Sequence, residues 1–367
     1  MSKQLQIETI LAQLGNNSDP RTGAINPPVY FSTAYKHTGI GESTGYDYSR
    51  TANPTRDLLE NGIAALEGGK HGFALSSGMA AIQTLFAIFE TGDEVIATSD
   101  IYGGTYRLFE EGWRHWGVTV TYGDPRDLEA FEQLITDKTK ALFIETPTNP
   151  LMQEADLKEL SLLAKKHGAW LIVDNTFYTP VLQRPIEEGA DIVVHSASKY
   201  LGGHNDLIAG LIVSNVDELS EKIGALQNGM GTILSPFDSW LLMRGMKTLK
   251  LRMKQHTENG KAIAEYLSRH EKVTDVLYSG RGGMLSFRLE NEEWVDSFLR
   301  NIKIITFAES LGGVESFITY PATQTHADMP EAVRVHNGVD NRLLRFSIGI
   351  EDKDDLIEDL EQALRAL

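Results

Sequence analysis

The 367-residue sequence contains no cysteine. Disulfides, thiolate metal sites and a cysteine nucleophile are therefore excluded, and any sulfur chemistry must act on a substrate's sulfur. Positive charge is scarce: 34 Lys and Arg face 51 Asp and Glu, a formal net charge of -17 with no basic run. A phosphate backbone or an anionic membrane would be repelled over most of such a surface. Long apolar runs are missing as well. The most apolar stretch, Gly72 to Phe89, is interrupted by Ser76, Ser77, Gln83 and Thr84, and the opening MSKQLQIETI has no apolar h-region. Neither a spanning helix nor a signal peptide is expected. No GxGxxG or GxxxxGK[ST] occurs, so dinucleotide and nucleoside triphosphate binding lack their main signals. His195, His204, His256, His326 and His336 have no metal-ligand spacing and read as structural. Aromatic content of 8% and hydrophobic content of 41% are those of an ordinary globular protein. The expectation is a cytoplasmic enzyme or binding protein, long enough for a large α/β domain and a smaller one.

What is present is an alternation of strands and helices. Residues 1–50 are poor in periodicity apart from a short helix at Glu8 to Leu14, and should lie over their own domain or reach a neighbouring subunit. From Pro54 the pattern is regular. A helix over Thr55 to Leu66 is stopped by Gly68 and Gly69, and Phe73 to Leu75 leads through Ser76, Ser77 and Gly78 into a helix from Met79. Strands come next at Glu94–Ala97, Val118–Tyr122, Ala141–Glu145, Trp170–Val173 and Ile192–Val194. Helices are read at Thr105–Trp116, Leu128–Ile135 and Leu157–His167. This order predicts a mainly parallel sheet covered on both faces. Gly210–Ser214 reads as an antiparallel return strand, and Pro236–Leu267 as a helical passage broken near Gly245. Beyond it, strands at Val273–Tyr278, Gly283–Leu289, Ile304–Phe307 and Leu343–Ser347 alternate with helices at Glu292–Ile302 and Lys353–Leu367. The expected organisation is an arm over 1–50, a large domain over 51–245 and a small domain over 246–367.

In open parallel sheets, ligands gather outside the carboxyl ends of the strands. Tyr102, Asn149, Asp174, Ser196 and Lys199 all lie at or just past such ends, so one fold assumption places them on one rim. Lys199 comes after a buried strand in DIVVHSASKYLGGH, where desolvation favours the neutral amine that condenses with an aldehyde. Taken alone, that segment is more often a solvated turn. The other strand ends supply what an aldehyde cofactor needs: Asp174 for a ring nitrogen, Tyr102 for stacking, and a phosphate cradle from the Gly78 and Met79 amides, Ser196, Ser198, Tyr48 and Arg50. That cofactor is pyridoxal phosphate. Arg345 in LLRFSIG is placed to hold an amino acid's carboxylate. Blander alternatives stand beside these: an N-cap for the Ser77–Gly78 turn, an exposed turn for Tyr48 and Arg50, and a surface ion pair with Glu351 or Asp352 for Arg345.

YDYSRTANPT, SSGMAA, DIYGGTYRLF, ETPTNP, VDNTF, HSASKYLGGH, ESLGGVESFITYPATQTH and LLRFSIGIED, in this order over nearly the whole chain, resemble the Cys/Met-metabolism family of pyridoxal-phosphate enzymes. Within it the chain looks most like the bacterial cystathionine γ-synthase and O-acetylhomoserine thiolyase group. The resemblance implies a fold-type I, aspartate aminotransferase-like α/β architecture and a homotetramer of two active dimers, with Tyr48 and Arg50 reaching the neighbouring subunit's phosphate. It implies that Lys199 carries the cofactor as a Schiff base and serves as the base. Asp174 would pair with the pyridine nitrogen, Tyr102 stack on the ring, and Ser196, Ser198 and the Gly78 and Met79 amides hold phosphate. Asn149 and Arg345 would serve the substrate carboxylate or cofactor hydroxyl region, with Ser316 beside them. The implied reaction is γ-replacement on an O-acylhomoserine by cysteine, giving cystathionine, or by sulfide, giving homocysteine; a cystathionine lyase running elimination is the alternative. Methionine γ-lyases diverge at Glu315 and carry a cysteine near the YGG tyrosine, so that member is not expected. Thr51 stands where some succinyl-using synthases carry a second arginine, which favours an acetyl leaving group, although Arg107 is a candidate to meet a succinyl carboxylate. The SGRGG passage after Tyr278 is shorter than in many relatives.

Overall fold

β-Branched and aromatic runs form the central strands because both of their faces are covered, so they need no polar alternation. In the computed structural model, which describes residues 5–327 and 329–367, the first four residues of the expected arm lie outside the described residues. Strands β1 (His71–Leu75), β2 (Glu94–Thr98), β3 (Thr119–Gly123), β4 (Thr139–Glu145), β5 (Trp170–Asp174), β6 (Ile192–Ser196) and β7 (Gly210–Ser214) make a seven-stranded sheet of order β1-β7-β6-β5-β4-β2-β3. β2 through β6 pair in parallel, and β7 runs antiparallel to both β6 and β1, as the sequence predicted for Gly210–Ser214. Phe143, Ile172, Val173, Val193 and Val194 are fully buried.

Four helices matter for the site: α1 (Ile7–Gln13), α2 (Pro54–Glu67), α3 (Gly78–Phe86) and α4 (Gly103–Arg107). Asn53 caps α2 by accepting from the Thr55 and Arg56 amides, Pro54 pre-sets the first turn, and Gly68 ends the helix in a left-handed conformation at φ 77°.

A second sheet is built from β8 (Val273–Leu277), β9 (Met284–Leu289), β10 (Thr306–Phe307), β11 (Phe317–Thr319) and β12 (Leu343–Ser347), in the order β10-β11-β12-β9-β8. The helices Leu249–Leu267, Trp294–Asn301 and Lys353–Arg365 pack on it. The first of these serves two cores, since Leu249 and Met253 join the one beneath the large sheet and Ile263 and Leu267 join that of the small sheet. Among the described residues no helix is long and apolar enough to cross a membrane.

Two local expectations change and a third holds. The helix expected over Thr105–Trp116 is α4 followed by a wider π turn, Leu108–Gly112, and a tight 3₁₀ turn, Trp113–Trp116. Phe109 and Trp113 both pack on Phe86, at ring separations of 4.2 and 6.1 Å. The strand expected over Ile304–Phe307 shortens to Thr306–Phe307, because the Asp359 carboxylate takes the Lys303, Ile304 and Ile305 amides instead of a neighbouring strand. The helical passage from Pro236 breaks at residues 247–248, near Gly245 as expected, and a Cβ on Gly245 would lie 2.3 Å from the Gly202 carbonyl oxygen.

Candidate active site

β5 and β6 end side by side, and the residues just past their ends are polar. Asp174 Oδ1 accepts from the Thr176 amide at 3.0 Å and its hydroxyl at 2.5 Å, and Thr176 Oγ1 in turn accepts the Ser196 amide at 2.9 Å. One threonine therefore ties the two strand ends together. Burial raises the Asp174 carboxyl above the usual range, opposed by those two Thr176 hydrogen bonds. Ser198 is locked to Ala209, its Oγ accepting the Ala209 amide at 2.9 Å. Lys199 Nζ donates to Ser310 Oγ at 3.0 Å. Its amine is lowered to about 8, first by burial and then by the Arg345 charge.

Across the cavity, Ser77 Oγ accepts the Ala80 amide at 3.0 Å, so the expected N-cap is real, while Gly78 and Met79 line the cavity at the start of α3. A Cβ on Gly78 would come within 2.8 Å of Ser196 Cβ. Glycine there is what allows the first turn of α3 to approach Ser196. The Tyr102 amide donates to Glu145 Oε2 at 2.9 Å, and the ring leans over Gly104, whose missing Cβ would lie 2.6 Å from Tyr102 Cε1.

Arg345 reaches in from β12. It is 2% exposed, so the surface ion pair is not what forms: its guanidinium donates to Asn149 Oδ1 at 3.0 Å, the Ser310 carbonyl at 3.1 Å and Thr319 Oγ1 at 3.0 Å. Burial lowers it to about 10, and its Nε is buried with no partner among the described residues. Asn149 lies between two cis prolyl bonds, Thr146–Pro147 and Asn149–Pro150.

These groups enclose a cavity of about 480 Å³. Of the residues expected from sequence, Gly78, Met79, Tyr102, Asn149, Asp174, Ser196, Ser198, Lys199 and Arg345 line it. Five others do not line it. Glu315 stands behind the cavity, accepting from the Asn205 side chain at 2.7 Å, and Asn205 does line it. Ser316 is buried on Glu351, which takes its amide at 2.7 Å and its hydroxyl at 2.9 Å. Arg107 is exposed on α4. Tyr48 and Arg50 are exposed at the end of the arm, where Arg50 donates to the Asn228 carbonyl at 2.6 Å and its side-chain oxygen at 2.8 Å. Sequence reasoning missed Glu145, Thr176, Glu309, Ser310 and Phe317, all in the lining, and Arg56, 1% exposed, which donates to the Ser49, Arg50 and Thr51 carbonyls and so shapes the arm's turn. Glu145 carried a signal: it is a carboxylate ending an apolar strand, as Asp174 is.

A near-neutral amine, a buried carboxylate, hydroxyls beside a helix start and a guanidinium with a free buried nitrogen fit a phosphorylated aldehyde cofactor and an amino acid. The chain matches the family model for Cys/Met metabolism PLP-dependent enzymes over residues 8–365. It belongs to that family. The enzyme is 63% identical, over 98% of its length and 96% of the relative's, to a Bacillus subtilis (strain 168) protein named cystathionine gamma-synthase/O-acetylhomoserine (thiol)-lyase. It is 59% identical to a Haemophilus influenzae cystathionine gamma-synthase over the whole of both chains. Among solved structures, cystathionine gamma-lyase from Lactobacillus plantarum in complex with L-serine superposes with a TM-score of 0.95 at 45% identity, over 99% of each chain. Cystathionine gamma synthase from Xanthomonas oryzae pv. oryzae superposes with a TM-score of 0.94 at 38% identity, over all of both chains. The architecture is thus fold-type I, and the cofactor of this trans-sulfuration enzyme is pyridoxal 5'-phosphate.

Proposed function

We propose that the enzyme catalyses γ-replacement on an O-acylhomoserine, with acetate as the preferred leaving group, using L-cysteine to form cystathionine and accepting sulfide to form homocysteine in methionine biosynthesis. The observation that carries this reading is the gradient of similarity. Relatives named as γ-synthases stand at 63% and 59% identity, whereas a cystathionine gamma-lyase from the same Bacillus subtilis strain stands at 47% and Lactococcus lactis cystathionine beta-lyases at 45%.

The bound cofactor supplies an electron sink that lets protons leave Cα and Cβ and the acyloxy group leave Cγ. Lys199 Nζ, set on Ser310 Oγ 3.0 Å away, is the proton carrier on the substrate's face. It takes the Cα proton, serves the Cβ proton in turn, and returns a proton after the thiol has added at Cγ. A base near 8 loads and unloads protons readily near neutral pH. Arg345, oriented by Asn149 and Thr319, binds the amino acid's carboxylate and holds Cα over the lysine. Asp174 would pair with the ring nitrogen, Tyr102 would stack on the ring, and Ser196, Ser198 and the Gly78 and Met79 amides would hold the phosphate, since all of them line the same cavity. Tyr48 and Arg50 complete a neighbouring subunit's phosphate site in a cytoplasmic homotetramer, with the arm ending near residue 50 and the large domain near 245. Their exposure at a turn shaped by Arg56 supports that assignment. Glu315 acts on substrate through Asn205, which lines the cavity, Ser316 is kept for the region beside the substrate carboxylate, and Arg107 for a succinyl carboxylate.

The test is product analysis on purified enzyme. O-acetylhomoserine with cysteine yields cystathionine faster than O-succinylhomoserine does, and cystathionine alone releases 2-oxobutyrate or pyruvate slowly. Rapid elimination from cystathionine with no cystathionine synthesis would make the enzyme a lyase.

A further inference from the structure

β4 ends at Glu145 and β5 at Asp174, and the two are register partners in the parallel ladder. Glu145 is 6% exposed and lines the cavity. Its own amide is held by Thr98 Oγ1 at 3.2 Å, and its Oε2 accepts the Tyr102 amide at 2.9 Å. Tyr102 precedes α4 with no side-chain cap of its own, so this bond anchors the loop that carries the ring. Asp100, on the same loop, is 6% exposed and accepts the Leu151 amide at 3.3 Å. Three carboxyl groups thus meet at adjacent strand ends. The cation facing them from the second sheet is Arg345, which is already shared among Asn149, Ser310 and Thr319.

We propose that Glu145 is a positioning residue that pins Tyr102 over the cofactor site as an uncharged carboxylic acid, leaving Asp174 as the carboxylate opposite the ring nitrogen. The proposal rests on the roles given above to Tyr102 and Asp174. Arg345 is committed to three other acceptors, Arg126 acts on Asp100 and His195 on Asp174, and Lys199 lines the same cavity, while Glu145 and Asp174, on neighbouring strands, disfavour each other's ionisation. The physical trends agree: burial, then Asp174 and Asp100, push the Glu145 carboxyl well above its usual range against the Tyr102 amide and Arg345, and burial lifts Asp100 to about 6. The carbonyl oxygen of a neutral acid still accepts the Tyr102 amide. Glutamine reproduces that acceptor at the same reach; alanine removes it.

The experiment uses holoenzyme and three readouts: infrared difference spectra, visible circular dichroism of the bound cofactor, and kcat with KM. Wild type shows a carboxylic-acid C=O band at neutral pH that is lost in Glu145→Gln. Glu145→Gln keeps the wild-type dichroism, and its kcat exceeds that of Glu145→Ala, which falls roughly tenfold with weakened dichroism, as expected when a buried amide loses its acceptor. Loss of dichroism in Glu145→Gln equal to that in Glu145→Ala, absence of the acid band from wild type, or unaltered dichroism in Glu145→Ala would each overturn the proposal. Infrared and dichroism require the cofactor but no acyl donor, so an error in the substrate assignment leaves them unchanged. Cofactor stoichiometry identifies a variant that has not folded, and Glu145→Asp, which shifts rather than removes a band from this position, then decides; Glu60, raised by burial to about 7, gives a band that none of these substitutions moves.

Discussion

Two arginines expected to hold anions sit in opposite surroundings. Arg345 is 2% exposed, braced by three acceptors at 3.0 to 3.1 Å and aimed into the cavity between the two sheets. Arg50 is exposed on the arm, its guanidinium turned to Asn228 and 5.6 Å from the Tyr48 ring centre. The first is carried on a β-strand and preorganised by one acceptor from the neighbouring strand, Thr319, and two from loops, Asn149 and Ser310. For the second, the backbone is held by Arg56 while the side chain remains at the surface. The strand-end groups are therefore brought together by this chain's own two sheets, whereas Arg50 meets Asn228 at the surface.

The comparison is tested hardest by Lys199→Ala. The strand-end half should fail completely, with loss of the cofactor's visible band and a fall in kcat on the order of a thousandfold or more; a retained band would remove Lys199 from the centre of the site. Next is Arg345. Arg345→Ala should cost roughly a hundredfold in kcat/KM, and Arg345→Lys should recover little of it, because three fixed acceptors match a planar guanidinium. Full recovery by lysine would mean that charge alone matters there. Arg50→Ala should weaken cofactor retention about tenfold, measured by dialysis and absorbance. Mixing it with Lys199→Ala should restore activity above either parent if arms serve neighbouring sites, and no restoration would confine each arm to its own chain. The pH dependence is subtler. Burial and Arg345 lower the Lys199 amine to about 8, so it is protonated below that pH and free above it. Cofactor capture by apoenzyme, monitored by absorbance, should accelerate as pH rises through about 8 and then level off. A rise continuing toward 10.5 would show an unshifted lysine. Glu315→Gln should have the smallest effect, about threefold in KM, since an amide oxygen still accepts from Asn205.

Much of this was legible in the chain because apolar runs announce buried strands, and the first polar residue after such a run marks the sheet's rim. Asp174, Ser196 and Lys199 were found in that way. β11 was too short to show a period, at three residues, and it exists because β12 supplies its partners. Ser310 and Thr319 were invisible for a similar reason. They are small polar residues in or near a loop, 111 residues from Lys199 in one case and 26 from Arg345 in the other.

By itself the sequence determined the class of chemistry: a cysteine-free α/β chain with a lysine, a carboxylate and an aromatic at strand ends, together with family motifs in order. Only the tertiary structure decided which groups act on one another. It set Lys199 on Ser310, Arg345 on Asn149 and Glu145 on Tyr102, and it left Glu315 behind Asn205. The physical reason is that strand and helix periods are written in neighbouring residues. Hydrogen-bond partners and the charge state of a buried group depend on atoms that the fold brings together from distant parts of the chain.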